Sequence, residues 1–294
     1  MDGRRGLVTL LLVGWGYAPG MQTLEALEAV HRADVVYVES YTMPGSDWLY
    51  RSVAEAAGDG RVVRASRSDL EERSSEIVSM AIDRVVAVVT AGDPMVATTH
   101  SSLAAEALEA GVRVRYIPGV SGVQAARGAT MLSFYRFGGT VTLPGPWRGV
   151  TPLSVARRIY LNLCADLHTT ALLDVDDQGV QLDPSVGVRL LLRGDEEYSS
   201  LAGAPALLAR LPAILVSAGV GGDHRVLYWS SLGELARAGV ERGVYSMIVP
   251  ARLSPVEEWL LAVAAGEQSP LEFDRDVYKI VGENCKKGVY MEPV

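Results

Sequence analysis

Apolar and polar positions come in alternating blocks along the first part of the chain. Leu7–Val13 is an unbroken apolar run, the pattern of a central parallel strand covered on both faces. Met21–Ala33 follows, with Leu24, Leu27 and Val30 near helical spacing and Glu25, Glu28 and Arg32 on other faces, which predicts a helix. Val35–Val38, Val62–Val63, Val85–Val89 and Val112–Ile117 read as further strands, and Leu103–Ala110 as a helix closed by Gly111. This βαβ alternation predicts an α/β domain with a mainly parallel sheet.

Pro118-Gly119-Val120-Ser121-Gly122 interrupts the pattern, so the hinge is expected there, with domains at 1–122 and 123–294. The Gly- and Pro-rich span Gly138–Pro152 is an alternative boundary. Beyond it the pattern predicts a helix around Leu153–Leu163, strands at Ala171–Val175 and Ala213–Val216, and a hairpin-like pair, Val226–Trp229 with Tyr245–Val249. Strands and helices alternate less regularly here, as in a smaller, mixed α+β domain.

Composition narrows the function classes. With 49% hydrophobic and 21% charged residues the chain is globular rather than disordered. A net charge of −8 argues against a broad electrostatic grip on nucleic acid, and no nucleic-acid partner is expected. Arg4-Arg5 before Leu7–Val13 imitates a short signal peptide, but the run ends in Gly14-Trp15-Gly16 rather than a small-residue cleavage site. No apolar stretch is long enough to span a bilayer, so a cytoplasmic protein with no membrane partner is expected. Cys164 and Cys285 read as a buried thiol and a tail thiol in a reducing cytosol. His31, His100, His168 and His224 are scattered, and no metal is expected.

The chemistry concentrates in turns. Val88–Leu103 ends an apolar run in Gly92-Asp93-Pro94 and restarts as a helix, at the strand end where open parallel sheets bind ligands. Gly14–Gly20 also joins a strand to a helix, and Glu39 ends the next strand, as a ribose-binding acid would in a dinucleotide fold. The spacing there is G-x-G-x-x-x-G, with the third glycine one residue late, and Pro19 removes an N–H where a pyrophosphate would sit. Asp174, Asp176 and Asp177 read as an acidic strand end facing water, and Asp223-His224 as an exposed turn. The turns at Gly14–Gly20, Ala91–Val96, Pro118–Gly122, Leu173-Asp174 and Ser217-Ala218-Gly219 are rich in small residues and poor in nucleophile–base pairs. Such a site suits a cofactor that brings its own reactivity.

Several segments carry a more specific likeness: V-G-W-G at Val13–Gly16, Y-V-E-S-Y-T at Tyr37–Thr42, and G-D-P-M-V-A-T-T-H at Gly92–His100. Further ones are Y-R-F-G-G-T-V-T at Tyr135–Thr142, L-H-T-T-A-L-L-D at Leu167–Asp174 and S-A-G at Ser217–Gly219. From about Leu7 to about Leu260 the chain resembles the tetrapyrrole methylase-like superfamily of S-adenosylmethionine-dependent methyltransferases, in its diphthine branch. The tail after Gly266 carries no family feature. The resemblance implies the two-domain class III methyltransferase fold, a homodimer, and S-adenosyl-L-methionine in the cleft between domains, leaving as S-adenosyl-L-homocysteine. The implied partner is translation elongation factor 2, trimethylated on the amino group of its 3-amino-3-carboxypropyl-histidine.

Carried over by position, the cofactor contacts fall at Tyr17, Asp93, Val96, Ser121, Gly122, Leu173, Ala218 and Tyr245. Tyr17, Gly122 and Tyr245 depart from the residues usual there in the branch. No catalytic base is legible, and the expectation is that water takes the amine proton. Other readings are a sister methylase acting on a tetrapyrrole or ribosomal RNA ribose, a non-catalytic S-adenosylmethionine sensor, and the nicotinamide enzyme that the first turn suggests.

Overall fold

Leu11 and Val13 of the first strand pack on one side of a sheet and Leu10 and Leu12 on the other, which explains an apolar run without a break. The computed structural model describes residues 9–44, 47–58, 60–217 and 224–290. Two units result. One holds the described residues through Gln124 with Asp177–Gly179, and the other Ala125–Asp176 and the described residues from Val180 onward.

The first unit runs β1 (Thr9–Gly14), α1 (Leu24–Arg32), β2 (Val35–Glu39), α2 (Asp47–Ala57), β3 (Val62–Ala65), α3 (Arg67–Glu71), α4 (Ser74–Met80), β4 (Val85–Thr90), α5 (His100–Glu109) and β5 (Arg113–Ile117). Its strands form one parallel sheet in the order β3-β2-β4-β1-β5. Helices α1 and α2 cover the face bearing Val13 and Val89, while α3, α4 and α5 cover the face bearing Leu12 and Val88. The order brings β4, β1 and β5 side by side, so the three connections leaving their carboxyl ends emerge together. Ligands bind at such edges in open α/β sheets.

The second unit follows α6 (Gly122–Ala129), the helix in which the two units divide, and runs β6 (Val141–Leu143), α7 (Leu153–Cys164), β7 (Thr169–Leu173), α8 (Pro184–Ala202), β8 (Ala213–Ser217), β9 (Arg225–Trp229), α9 (Leu232–Leu235), β10 (Tyr245–Val249), α10 (Pro255–Ala265) and α11 (Asp276–Lys286). Its sheet has the order β6-β7-β10-β8-β9, with β6 and β7 parallel and the other pairs antiparallel. The mixed α+β expectation is therefore met.

Three expectations need correction. β9 and β10 are not a hairpin, because β8 lies between them and pairs with both. Interior β8 is apolar and buried from Ala213 to Val216, and a sheet shields such a strand best by flanking it on both edges. β7 covers Thr169–Leu173 rather than Ala171–Val175, since Asp174 leaves the ladder to meet Arg148. Finally, Cys164 and Cys285 are not free thiols but a disulfide that ties α7 to α11, with Cα atoms 5.5 Å apart.

Candidate functional site

Three glycines let the connections after β1, β4 and β5 touch through their backbones. A methyl group on Gly14 would lie 2.4 Å from Gly119 N, and one on Gly119 would lie 2.0 Å from the Gly92 carbonyl oxygen. Only hydrogen fits at these crossings. Paired bonds clamp the first two turns, with Gly92 N–H donating to Gly16 O at 2.9 Å and Gly16 N–H to Gly92 O at 3.2 Å.

Asp93 fastens the third turn. Its Oδ2 accepts the Tyr116 hydroxyl at 2.6 Å and Gly119 N–H at 3.1 Å, while Oδ1 accepts Met95 N–H at 2.9 Å. The carboxylate is buried, so these donors replace the water it loses. Partial burial and then the bond to Asp93 push the Tyr116 phenol up to about 12. With three donors already on Asp93, its main contribution is to shape the turn, and it is poorly placed to act as a proton acceptor.

The structure brings Tyr17, Asp93, Val96, Ser121 and Gly122 to this edge of the first unit. A Cβ on Gly122 would make ordinary contact with Tyr17 at 3.5 Å. Val96 is partly exposed beyond the turn that its N–H closes on Asp93 O at 3.2 Å, and the next residue, Ala97, has a positive φ of 57°. Ser121 immediately precedes α6, whose first turn leaves N–H groups without intrahelical partners. A cradle of glycines, backbone edges and a helix start fits a small cofactor held largely by main chain.

Of the remaining expected contacts, Leu173 and Tyr245 belong to the second unit. Leu173 ends β7 with its side chain in that unit's core, so only its main chain is available to a ligand. Tyr245 has each polar atom engaged: N–H donates to Gln181 Oε1 at 2.7 Å, the carbonyl accepts Gln181 Nε2 at 3.0 Å, and the hydroxyl donates to Glu241 O at 3.0 Å. Ala218 and Asp223 lie outside the described residues. Asp174 is held by Arg148 through two bonds of 2.8 and 3.0 Å, so this acidic strand end faces a guanidinium rather than water alone.

Sequence reasoning missed a buried polar cluster beside the cradle. Glu39 Oε1 accepts Thr42 N–H at 2.9 Å, and Oε2 accepts the Thr90 hydroxyl at 3.2 Å. His100 Nε2 lies 3.3 Å from Glu39 Oε2, off the line of a hydrogen bond, and His100 Nδ1 reaches Pro94 O at 3.2 Å. The cluster therefore braces the Gly92–His100 segment from below. Glu39 is committed to these partners at the end of β2, which leaves it unsuited to the ribose-binding role of the nicotinamide reading. A cue existed in the two segments Tyr37–Thr42 and Gly92–His100, but not in their meeting.

The segments Tyr135–Thr142 and Leu167–Asp174 also meet. Arg136 bonds Glu257, Glu257 Oε1 lies 3.2 Å from His168 Nε2, and Ala251 N–H donates to His168 Nδ1 at 2.9 Å. Nδ1 is thus an acceptor, which makes His168 neutral with its proton on Nε2. Burial lowers the His168 pKa, with Glu257 opposing. Burial also works against the Glu257 charge, but Ser254 and His168 outweigh it and hold the carboxyl at about 2.

Comparison with known proteins fits this architecture. Residues 9–202 match the family of tetrapyrrole (corrin/porphyrin) methylases. The chain is 81% identical over 290 residues to the diphthine synthase of Aeropyrum pernix, covering 99% of both chains. It is 36% identical to the diphthine synthase of Pyrobaculum aerophilum, over 85% of this chain and 94% of that one. A crystal structure of a diphthine synthase superposes with a TM-score of 0.74 at 30% identity, covering 92% of this chain and 99% of the other. The chain belongs to the tetrapyrrole methylase family, whose members are S-adenosylmethionine-dependent methyltransferases. Within that family it stands among the diphthine synthases.

Proposed function

We propose that this chain methylates the amino group of the 3-amino-3-carboxypropyl-histidine of translation elongation factor 2, three times, to give diphthine. The observation that carries the reading is the match to a diphthine synthase along essentially the whole of both chains. The cofactor is S-adenosylmethionine, which when bound supplies a methyl group already activated on a sulfonium. The chain's task is then to hold and align, and alignment of reacting groups is worth on the order of 7–11 kcal/mol.

The turns at Gly14–Tyr17, Gly92–Val96 and Gly119–Gly122 hold the cofactor, mainly through main chain, with Tyr17 and Val96 adding apolar walls. Leu173, Ala218 and Tyr245 complete the contacts on the strength of the resemblance. Asp93 shapes the cradle through its three donors. Only a neutral amine has a lone pair to offer, and a low-dielectric surround favours that form. The proton it sheds goes to water rather than to a dedicated side chain.

The protein works in the cytoplasm, where its translation factor is, and as a homodimer. Disulfides occur in intracellular proteins of hyperthermophiles, so the Cys164–Cys285 bond is compatible with that location. Among the described residues no helix is long and apolar enough to cross a membrane. Mass spectrometry of the histidine-bearing peptide of elongation factor 2, after incubation with this protein and S-adenosylmethionine, tests the activity. A gain of three methyl groups is expected. No gain, with cofactor binding intact, would overturn the reading in favour of a sister methylase or a sensor.

A further inference from the structure

Arg127 on α6 is a partly buried cation with no carboxylate in ion-pair range among the described residues. Its Nε donates to the Thr170 hydroxyl at 2.9 Å, one Nη2 proton goes to the Thr140 hydroxyl at 2.6 Å, and its Cζ lies over the Phe137 ring, 4.9 Å from the centroid. Burial lowers its pKa, and no acidic neighbour offsets that effect. A guanidinium has five N–H donors in a rigid fork. The two threonines occupy the Nε–Nη2 side and Phe137 packs against Cζ, and the end formed by Nη1 and the second Nη2 proton has no protein partner among the described residues. That end matches a carboxylate bonded through both oxygens. The side chain is also fixed before any ligand arrives, which reduces the entropy lost on binding.

Two of the anchors, Phe137 and Thr140, lie in Tyr135–Thr142, and Thr170 lies in Leu167–Asp174. Both segments are among those that carry the resemblance. The expected substrate differs from ordinary protein side chains by a carboxylate attached to the same carbon as the reacting amine.

We infer that Arg127 is the receptor for the carboxylate of the substrate's aminocarboxypropyl arm, held in place by Thr140, Thr170 and Phe137. The inference rests on the proposed function and adds the group that selects the modified histidine. A fork that grips the carboxylate fixes the direction of the amine one carbon away. An unmodified histidine offers nothing to the fork, and Arg127 stays unpaired.

The test compares wild type with Arg127→Gln and Arg127→Lys, using elongation factor 2 that carries the aminocarboxypropyl-histidine. Methyl transfer is measured against factor concentration, and S-adenosylmethionine affinity by calorimetry. For Arg127→Gln the expected result is a fall in kcat/KM for the factor of about 10- to 100-fold, the size of a lost charged hydrogen-bond pair. Cofactor affinity and melting temperature should stay near wild type. Arg127→Lys should recover only part of the loss, because a point charge cannot replace the fork. Thr140→Val, which keeps the charge but frees the fork, should raise KM several-fold and serves if Arg127→Gln fails to fold. Unchanged kcat/KM in Arg127→Gln would overturn the inference, as would a matching loss of cofactor affinity. An inactive wild type that still binds the cofactor would instead bring down the proposed function, and the inference with it.

Discussion

A methyl group on Gly119 would lie 2.0 Å from Gly92 O and 2.7 Å from Gly14, well inside contact distance, and backbone atoms of two other turns cannot swing away as a side-chain tip would. Gly119→Ala should therefore exceed the ~1–3 kcal/mol of ordinary overpacking, and it should also spoil the cradle. The expected outcome is a lower melting temperature together with loss of S-adenosylmethionine binding, read by calorimetric scanning and titration. A variant that melts lower but binds the cofactor normally would separate the glycine crossing from the site. At this scale the sequence was informative about residue types and silent about partners. Gly14, Gly92 and Asp93 stand out because strand-to-helix turns favour them. The atoms they approach come from Tyr116 and Gly119, and no local pattern marks that pairing. Arg127 was illegible for the same reason, since an arginine on a short helix resembles any solvated one until its neighbours are known.

At the level of elements, the start of α10 shows how a cap can hold distant pieces together. Ser254 and Glu257 form a capping box, with Ser254 Oγ accepting Glu257 N–H at 3.3 Å and Glu257 accepting Ser254 N–H at 3.0 Å. The same carboxylate binds Arg136 and His168, so one group joins a helix start, a 3-10 turn and the approach to β7. Its pKa is about 2 in the folded chain against 4.5 for an ordinary glutamate. The unfolded chain therefore binds the proton first as pH falls, and stability present above 4.5 is lost toward pH 2. His168, also depressed, adds to the loss once pH drops below 6.5. The Glu257 contribution is on the order of 3 kcal/mol by the usual conversion. Denaturant melts should show stability falling through this window. Glu257→Gln should be much less stable than wild type at pH 7, with the gap narrowing by pH 3. A constant gap would remove Glu257 from the acid response. The Ser-x-x-Glu spacing with Pro255 was readable as a helix start, as were Asp183, Pro184 and Gly203 at the two ends of α8. The sequence-based reading passes over both helices because it follows the apolar runs rather than the caps.

For the molecule as a whole, strand identity was more legible than strand adjacency. All five strands of the first sheet lie where the sequence predicts strands, and repeated βα units constrain them to one parallel sheet. The second sheet lacks that constraint. Its last two strands are neighbours in sequence but flank β8 in space, with α9 in the connection between them.

The disulfide was equally hidden, since 121 residues separate its cysteines. Its effect is global. The tail is docked without it, through buried Val277 and Val281, the Tyr290 ring stacked on Tyr160 at 3.9 Å, and the Tyr290 hydroxyl bonded to Pro205 O at 2.9 Å. What the bond adds is a restriction on the unfolded chain, worth about 3–5 kcal/mol for a loop of this size. For a chain this long, that corresponds to roughly 10 °C in melting temperature. Calorimetric scans of the native protein, the reduced protein and Cys285→Ser should show the latter two melting together, lower than the first by about that amount. All three should remain folded at room temperature, because the packing of α11 against α7 survives the loss of the bond. If reduction leaves the melting temperature unchanged while thiol titration finds both cysteines free, the covalent link contributes nothing beyond that packing.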